Sequence, residues 1–465
     1  MREAVNAVET LSGQDVVVLA PSASAVQVLR NNGFAESDTF QKFTSDRAFQ
    51  VVAKGQILWV DEAGFLSVKE MNWLIQFADR NGCRLILSGD TRQHHGVKRG
   101  DALRILQNSG AVTQAVLTGI IRQQIDVLRQ AVFDLSRDRT EAGFDKLDNF
   151  GAIHELEDKA ERLAAIAQTH LAARKEGKSS LIVAPTHAEC RAIANAVRDQ
   201  QKKEGLLGAE DYRITRLGKL NLTESQRRDP INYQIGQVVE FHLRARGGFK
   251  SGERWEVARG SSGDVVVVRD GQAKILPLAQ AKSFELYTRE EITLAAGDMI
   301  RITKNFRVDA HRFRNNELCT VRAIDGENII LNDNRVINLQ RPHHLDQGVG
   351  VTSHAAQGKT VDQVIVSVPV AAFSQANQAQ FYVSMSRARA SMHLFTDSKV
   401  ALKEAVMRPS ERFLPYEVIS KNDNERDWRD VAAAIHKVRL PGRDAVMRRQ
   451  TGREPVKKIG EEMQR

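Results

Sequence analysis

The chain has 465 residues, and its 67 Lys and Arg against 58 Asp and Glu give a formal net charge of +9. With 42% apolar and 27% charged residues, the composition is that of a globular protein and excludes wholesale disorder. This length predicts about three domains. No apolar stretch approaches the roughly 20 residues of a membrane-spanning helix, and residues 1–10 lack the apolar core of a signal peptide.

Three cysteines, Cys83, Cys190 and Cys319, lie far apart in the sequence. An odd number without short spacings predicts neither a disulfide framework nor a metal site. We therefore expect a reducing, cytoplasmic compartment. The mild positive excess is compatible with a nucleic-acid partner, although many basic proteins bind none.

Several short apolar runs each end in a polar turn that leads into a helical pattern. Runs that are apolar on both faces are typical of strands buried in a parallel sheet, with helices as crossovers. The sequence therefore predicts an α/β fold with functional groups at the carboxyl ends of its strands. The runs are residues 16–22, 57–62, 84–90, 180–186 and 364–369.

Two of these units resemble each other, because residues 20–22 read Ala-Pro-Ser and residues 184–186 read Ala-Pro-Thr. The likeness fits either two related α/β lobes or a coincidence between common strand–turn patterns. By itself it does not separate these alternatives.

Residues 230–345 have a different pattern, in which short alternating segments are separated by Gly- and Asn-containing turns. This pattern indicates small β-barrels. The region also repeats internally: residues 236–241 match 297–302, and residues 249–257 match 313–321. We expect tandem barrels of one type rather than convergent turn chemistry.

Within the tail, residues 411–465, the part from residue 424 onward is charged and contains Pro441 and Pro455. Its last part, residues 437–465, has nine Lys or Arg against four Asp or Glu, a net charge of 9 − 4 = +5. A solvated helix or a flexible tail is expected there rather than a dedicated DNA-binding arm.

The strongest local motif is the apolar run 57–60 followed directly by Asp61 and Glu62. This is the Walker B arrangement, in which the first carboxylate holds Mg²⁺ through its waters and the second orients the attacking water. Adjacent acids after a strand also occur as helix N-caps, so Asp61 has two interpretations.

Three further motifs are weak when taken singly. Gln93 follows the strand-terminal Asp90 and could reach a γ-phosphate, or it could be part of a polar turn. Arg122 and Arg387 follow apolar segments and could act as arginine fingers, although an isolated Arg is more often a surface residue.

Residues 358–360 read Gly-Lys-Thr, as in a phosphate loop, but His354 stands where the upstream glycine should be. We therefore do not interpret this segment as a Walker A motif.

In order along the chain, these motifs resemble the motif set of superfamily 1 helicases, in particular the RecD-like branch that moves 5′ to 3′. The resemblance covers about residues 16–400 and places the β region where such helicases insert an SH3-like barrel. Residues 249–255 and 357–362 look most like the helicase half of conjugative relaxase–helicases.

The resemblance implies two RecA-like P-loop NTPase lobes with an inserted SH3-like β-barrel region. Lobe 1 would comprise residues 1–125, and lobe 2 residues 126–229 together with 346–410. The insertion would comprise residues 230–345, and the tail residues 411–465.

The resemblance also implies ATP and Mg²⁺ as cofactors. Asp61 would bind Mg²⁺ through water, Glu62 would act on the attacking water, and Gln93 would sense the γ-phosphate. The arginine fingers would be Arg122 and Arg387. The residues implied near the nucleotide are Asp61, Glu62, Gln93, Arg122, Gly358, Lys359 and Arg387.

Single-stranded DNA is the implied partner. Its implied contacts are Ser22, Thr186 and His354, and the first two stand at helix N-termini that favour phosphate. Basic residues of the first barrel are electrostatic candidates for the backbone. These residues are Arg244, Arg246, Lys250 and Arg254.

The family's phosphate loop, Gly-x-x-Gly-x-Gly-Lys-Thr, does not occur in residues 1–465. Residues 2–10 are predicted to be the later part of the helix that follows it. The expectation is that the chain begins inside a larger protein whose relaxase domain, an implied partner, also lies outside it. Without the loop, we expect negligible ATP hydrolysis by the chain itself.

Two functions remain open at the level of sequence. The first is the motor portion of an ATP-dependent 5′-to-3′ helicase from a conjugative relaxase–helicase acting in plasmid transfer. The second is a non-catalytic fragment or regulatory remnant that binds single-stranded DNA. The presence of all the implied acidic, Gln and Arg positions favours the first.

Overall fold

The structure, a computed structural model, describes residues 1–93, 100–260, 263–308 and 311–409, except for the side chain of His354. The tail predicted for residues 411–465 lies outside the described residues. None of the described helices is long and apolar enough to cross a membrane.

The first lobe alternates strands and helices. Its elements are α1 (Arg2–Ser12), β1 (Val16–Ala20), α2 (Ala23–Asn31), β2 (Asp38–Thr39), α3 (Phe40–Ser45), α4 (Arg47–Val52), β3 (Ile57–Val60), α5 (Val68–Asn81), β4 (Arg84–Leu87) and α6 (Ala102–Asn108). The strands form one parallel sheet in the order β2-β1-β3-β4. Its central strand β3 is buried along its whole length, as the apolar run predicts.

Local sequence fixes the helix that follows β3. Ser67 and Glu70 form a capping box at the start of α5, and Gly82 ends the helix with a left-handed φ of 63°. The buried face of α5 places Met71 and Leu74 in the core of the lobe. Burying a side chain of this size contributes roughly 2 kcal/mol, so this face holds β3 in place from one side.

The second lobe begins after α6 and is interrupted once. Its first part comprises α7 (Asp126–Leu135), α8 (Thr140–Asn149), β5 (Ile153–Glu155), α9 (Lys159–Lys175), β6 (Ser180–Ala184) and α10 (His187–Lys203). The chain then leaves the lobe for the antiparallel insertion.

The insertion is almost entirely β-structure. Its elements are β7 (Tyr212–Lys219), α11 (Glu224–Arg228), β8 (Val238–Phe241), β9 (Arg254–Arg259), β10 (Val266–Arg269), β11 (Gln272–Ile275), β12 (Phe284–Leu294), β13 (Met299–Ile302), β14 (Phe306–Val308), β15 (His311–Phe313), β16 (Leu318–Ile324), β17 (Asn328–Leu331), β18 (Val336–Asn338) and β19 (Leu345–Gln347).

The chain then returns to the second lobe. The returning elements are β20 (Gly350–Thr352), α12 (Ser353–Ala356), β21 (Val361–Ser367), α13 (Gln378–Met385), β22 (Ala388–Thr396) and α14 (Lys399–Val406). The lobe's sheet is wholly parallel, in the order β20-β6-β21-β22-β5. Short 3₁₀ helices at Ala63–Phe65, Pro230–Asn232, Leu278–Ser283 and Val370–Gln375 complete the described helical segments.

The returning strand β20 pairs with β6, the last strand before the insertion, with Val351 opposite Val183. The strand that returns from the insertion is therefore anchored beside the strand that precedes α10. The α/β fold class with two parallel sheets and an antiparallel insertion is confirmed.

The insertion contains two main antiparallel sheets, of six and five strands, and a two-stranded ribbon of β14 and β15. The strand β7 pairs along the length of β12. Antiparallel structure thus begins at Tyr212, within the segment that the sequence-based division assigns to the second lobe. Among the strand pairings of the described residues, none closes either sheet into a ring, so barrel closure stays a prediction.

The two halves of the insertion repeat each other in strand register. In the first half Val239 lies opposite Trp255, and in the second half Ile300 lies opposite Cys319. These pairs are equivalent under the sequence match, with offsets of 300 − 239 = 61 and 319 − 255 = 64.

The turns between the paired strands repeat as well. In the first half, the Gly252 amide donates to the Phe241 carbonyl over 2.7 Å, and in the second the Asn316 amide donates to the Ile302 carbonyl over 2.7 Å. Gly252 and Asn316 both have left-handed backbones, with φ of 87° and 65°. The internal repeat is therefore present in backbone structure and in sequence.

This turn leads to a stability prediction. A Cβ at Gly252 would meet no atom within 4 Å, so Gly252→Ala tests the left-handed backbone alone. We expect it to lower the free energy of unfolding by about 1 kcal/mol, as measured by urea unfolding of the full chain. The matched variant Asn316→Gly should change it by less than about 0.5 kcal/mol. Equal losses in both variants would contradict this interpretation of the turn.

Candidate functional site

Asp61 and Glu62 lie at the carboxyl end of β3. The Asp61 carboxylate accepts a hydrogen bond from the Ser88 hydroxyl over 2.7 Å, and that hydroxyl accepts one from the Trp59 indole over 2.8 Å. This relay fixes the orientation of the carboxylate. The alternative interpretation of Asp61 as a helix N-cap does not apply, because the residue that precedes the following 3₁₀ turn is Glu62, and its side chain makes no capping bond.

Glu62 has a left-handed backbone, with φ of 52°. Such a backbone is costly for a residue with a side chain and is commonest where function requires it. Burial, and then the negative charge of Asp61, raise the pKa of Glu62 to about 7, against an opposing effect of Arg387. A carboxyl group with this pKa can accept a proton near neutral pH, as a general base must.

Polar contacts join this edge of the first lobe to the second lobe. The Tyr382 hydroxyl donates to Asp90 over 2.9 Å, and the Asp90 carboxylate also accepts from the Gln93 side-chain nitrogen over 3.2 Å. The Gln93 side-chain oxygen accepts from Gln357 over 3.1 Å and from Arg387 over 3.5 Å. Gln93 is thus held between the lobes, at the position predicted for a γ-phosphate sensor.

Arg387 is buried in the second lobe and bonds to neutral acceptors, the Val383 carbonyl and the Ser386 hydroxyl, each over 2.9 Å. Burial, followed by the charge of Arg122, lowers the pKa of Arg387 to about 10. The Arg122 guanidinium donates to the Ser386 carbonyl over 2.6 Å. Both guanidinium groups therefore bond to Ser386, just before β22 of the second lobe.

The segment 357–360 enters the site through Gly358. Its φ is 78°, and a Cβ added there would lie 3.5 Å from a carboxylate oxygen of Glu62. Lys359 is in a different environment, since burial and then the charge of Arg301 in the insertion lower its pKa. The structure therefore brings Gly358 to the predicted nucleotide site and places Lys359 beside Arg301.

The three predicted DNA contacts outside the insertion lie at the carboxyl ends of strands or just after them. Ser22 caps α2 by accepting from the Ala25 amide over 3.1 Å, and Thr186 caps α10 by accepting from the Glu189 amide over 3.1 Å. Both helix N-termini present backbone amides, a geometry that suits phosphate. His354 lies in α12, and its side chain is outside the described part of the chain.

The basic residues predicted in the insertion fall into two groups. Arg244, Arg246 and Lys250 are exposed around the turn after β8. Arg254 is half-buried and donates to Glu240 over 2.9 Å and to the Pro342 carbonyl over 2.7 Å. Because Arg254 forms these hydrogen bonds within the insertion, its side chain is less available for a DNA contact than the three exposed side chains.

The polar side chains between the two lobes are of the kinds that bind a nucleotide together with Mg²⁺. Mg²⁺ is commonly held by one or two carboxylates together with waters and substrate phosphates, and Asp61 provides such a carboxylate. The buried guanidinium of Arg387 suits the phosphate charge. The Gln357 side-chain oxygen is buried and has no hydrogen-bond partner among the described residues. Within those residues there is no cluster of three or more His, Cys, Asp or Glu side chains that could hold a metal ion.

Sequence reasoning gave no role to Tyr382, Gln357 or Asp90, although they carry the contacts between the lobes. Asp90 follows β4 and stands three residues before Gln93, and Gln357 directly precedes Gly358. The position of each residue within a motif was therefore the available sequence signal. The role of Tyr382 depends on the packing of the second lobe against the first, which no local pattern encodes.

Comparisons with known proteins bear on this site. Residues 1–158 match a family model described as an AAA domain. The multifunctional conjugation protein TraI of Escherichia coli is 22% identical over 509 aligned residues, which cover 94% of this chain and 28% of that protein. The conjugal transfer protein TraA of Rhizobium radiobacter is 24% identical over 404 aligned residues, which cover 85% of this chain and 30% of that protein. The chain thus spans less than a third of the length of these relatives.

Solved structures with lower identity also match. The Pif1 helicase of Candida albicans is 14% identical, with a TM-score of 0.40 and coverage of 91% of this chain and 92% of that one. The Pif1 helicase of Bacteroides, solved with ADP-AlF3 and single-stranded DNA, is 13% identical, with a TM-score of 0.36 and coverage of 88% and 87%.

The ordered motifs, the two parallel-sheet lobes and the sequence matches support the resemblance of this chain to superfamily 1 helicases. Among the proteins that it resembles, the chain is similar to the conjugation proteins TraI and TraA.

The raised pKa of Glu62 predicts a pH-dependent stability. Its ionised form is disfavoured in the folded chain, so the cost is absent below the ordinary pKa of 4.5 and grows until about pH 7. Glu62→Gln should therefore raise the free energy of unfolding at pH 8 by about 3 kcal/mol, and by less than about 1 kcal/mol at pH 5.

Urea unfolding of the full chain at the two pH values measures this difference. Glu36→Gln makes the same change at an exposed site and is the control. An effect of Glu62→Gln that is equal at pH 5 and pH 8 would show that its carboxyl group is not perturbed.

Proposed function

We propose that this chain is the motor of an ATP-dependent helicase that moves 5′ to 3′ on single-stranded DNA and acts in conjugative plasmid transfer. The observation that carries the proposal is the cross-lobe contact set, in which Gln93 of the first lobe bonds to Gln357 and Arg387 of the second. A nucleotide that binds between such lobes can change their relative position, which is how hydrolysis is coupled to movement.

The proposed chemistry assigns one task to each side chain. Asp61 accepts hydrogen bonds from the waters of Mg²⁺, and Glu62 takes the proton of the attacking water. Gln93 bonds to the γ-phosphate, while Arg122 and Arg387 balance the charge that develops on it. Magnesium, when bound, neutralises the β- and γ-phosphate oxygens.

The proposed DNA path runs along the carboxyl edges of both sheets. Ser22 and Thr186 provide helix N-termini for backbone phosphates, with His354 near the second. The exposed Arg244, Arg246 and Lys250 extend the path onto the insertion. The proposed partners are single-stranded DNA and a relaxase domain, and the proposed compartment is the cytoplasm.

The ATPase proposal is tested with two polypeptides. The 465-residue chain is expected to show negligible hydrolysis. A polypeptide extended upstream of Arg2 by a Gly-Lys-Thr phosphate loop should hydrolyse ATP with stimulation by single-stranded DNA. In that extended form, Glu62→Gln should reduce kcat by about 10²- to 10⁴-fold, and Arg387→Ala by about 10³-fold or more.

Glu36→Gln in the extended form should leave hydrolysis unchanged and is the control. If the extended form binds DNA but shows no turnover sensitive to Glu62→Gln, the motor proposal fails and the non-catalytic DNA-binding function is favoured. Turnover by the unextended chain, lost on Glu62→Gln, would contradict the assigned need for the phosphate loop.

The DNA path is tested by salt-dependent binding of a fluorescent single strand to the full chain. Charge reversal of Arg244 and Arg246 to Glu should weaken binding and lower the slope of log K against log salt by about 1 to 2. Reversal of the exposed Lys175 and Lys178 at the opposite edge of the second sheet is the matched control. An unchanged slope in the Arg244 and Arg246 variant places these residues outside the DNA path.

A further inference from the structure

Helices α4 and α5 of the first lobe border a pocket that the proposed motor chemistry does not use. Its volume is about 410 Å³, which is in the range of pockets that hold a small ligand or an anchoring side chain. The pocket is lined by the later part of α5, which runs back from the carboxyl end of β3 to the amino end of β4. It therefore lies away from the edge of the sheet that carries Asp61 and Glu62.

One wall of the pocket is a face of α4 and the turn that follows it. Helical periodicity brings positions i, i+3, i+4 and i+7 to one face, and the lining residues of this wall have that spacing. They are Arg47, Gln50, Val51 and Lys54. Val51 is 61% exposed, so this wall presents an apolar side chain between two cations.

The opposite wall is a face of α5 with the same spacing. Its lining residues are Trp73, Gln76, Phe77 and Arg80. In both walls the second, third and fourth positions are a Gln, an apolar side chain and a cation. The pocket is therefore apolar in its middle and cationic at its rim.

The aromatic side chains of the pocket are held by the core of the lobe. The rings of Trp73 and Phe77 stack with centroids 5.3 Å apart and an angle of 16° between their planes. Both contact the buried ring of Phe43 edge to face, with centroids 6.0 and 5.1 Å apart. The Trp73 indole N–H has no hydrogen-bond acceptor among the described residues, so it is available to an acceptor on a ligand.

The three cations of the rim are not neutralised by the fold. Arg47, Lys54 and Arg80 are exposed, and none of them forms an ion pair with another described residue. The Arg80 guanidinium contacts only the neutral Gln76 side chain, over 3.4 Å. The lining thus contributes three positive charges and, among the described residues, no carboxylate.

Two carboxylates lie close by in sequence and leave this charge in place. Asp46 caps α4 by accepting a hydrogen bond from the Phe49 amide over 3.1 Å. Asp79 is exposed and is not part of the lining. Because neither forms an ion pair with the three cations in the described part of the chain, the rim attracts an acidic ligand.

We propose that this pocket is a docking site for an acidic segment of a partner protein, with an aromatic or branched apolar side chain between Val51 and Phe77 and carboxylates on the rim. Charge complementarity selects this partner, because three uncompensated cations attract an acidic segment and repel a basic one. An apolar anchor in a pocket with a polar rim is also the usual form of a binding hot spot.

The shape of the pocket favours a protein segment over a nucleic acid strand. A single strand binds in grooves that follow its backbone and stacks its bases on free ring faces. This pocket is confined between two helices, and Trp73 and Phe77 each cover a face of the other. It also lies away from the carboxyl edges along which the DNA path is proposed. The inference goes beyond the motor function and does not depend on it.

Fluorescence anisotropy of a labelled peptide with the full chain tests the proposal. The probe is a fluorescein-labelled peptide of sequence Asp-Asp-Asp-Asp-Leu-Phe. We expect saturable binding that weakens as salt is added, because salt screens the rim charges. The corresponding peptide with Asn in place of every Asp should bind about tenfold more weakly or less tightly still.

Two neighbouring valines provide a matched pair of variants. Val51 and Val52 are 61% and 71% exposed on the same helix, but only Val51 lines the pocket. Val51→Glu should weaken binding of the acidic peptide about tenfold, whereas Val52→Glu, which adds the same charge, should weaken it less than about threefold.

Reversal of a rim charge is the second test. Lys54→Glu should weaken peptide binding about tenfold, and Lys203→Glu, at an exposed lysine of the second lobe, is its control. Because all four substituted side chains are exposed, urea unfolding should show that each variant is as stable as the unchanged chain within about 0.5 kcal/mol.

The remaining outcomes overturn the proposal. Equal binding of the acidic peptide by the unchanged chain, Val51→Glu and Lys54→Glu would place the peptide elsewhere, and no binding up to about 1 mM peptide would exclude the site. Equal affinity for the Asp and Asn peptides would remove the charge complementarity. If an oligothymidylate displaces the peptide and itself binds Val51→Glu more weakly than Val52→Glu, the pocket binds nucleic acid instead. None of these results changes the predictions for Glu62, so the motor proposal is tested separately.

Discussion

The contact between the two lobes centres on one half-buried acceptor, the carboxylate of Asp90. It receives the Tyr382 hydroxyl from the second lobe and the Gln93 amide from the first. Because Gln93 also accepts from Arg387, displacement of Tyr382 would change the position of the proposed sensor and of the proposed arginine finger together. A polar contact of this kind is weaker than an apolar interface and can be replaced by a ligand, which suits lobes that must move.

The insertion is attached in a way that leaves this contact undisturbed. It follows α10 and returns through β20, which pairs with β6 at the edge of the second lobe's sheet. After burial, the charge of Arg301 in the insertion lowers the pKa of His187 at the start of α10 and that of Lys359.

The sequence was most informative where chemistry follows a strand directly. Asp61 and Glu62 could be placed because an apolar run fixes both the strand and the edge at which it ends. The repeat in the insertion was visible because both halves keep the same paired positions. By contrast, the pairing of β7 with β12 was not visible in the sequence, because its partner β12 lies far along the chain. The environment of Lys359 and the role of Tyr382 depend on packing between separate parts of the fold, and local sequence periodicity does not predict such packing.

The repeat also shows how duplicated halves can diverge. Glu240 of the first half and Arg301 of the second occupy equivalent positions, since 301 − 240 = 61. Burial opposes ionisation of Glu240, but the hydrogen bond from His344 and the charges of Arg254 and Lys304 hold its pKa well below the ordinary value. The first half thus satisfies its buried charge within the insertion. The second half carries the opposite charge at the equivalent position, where Arg301 pairs loosely with Asp346 over 3.7 Å. Equivalent positions of the repeat therefore differ in the sign of the charge that the surrounding fold must neutralise.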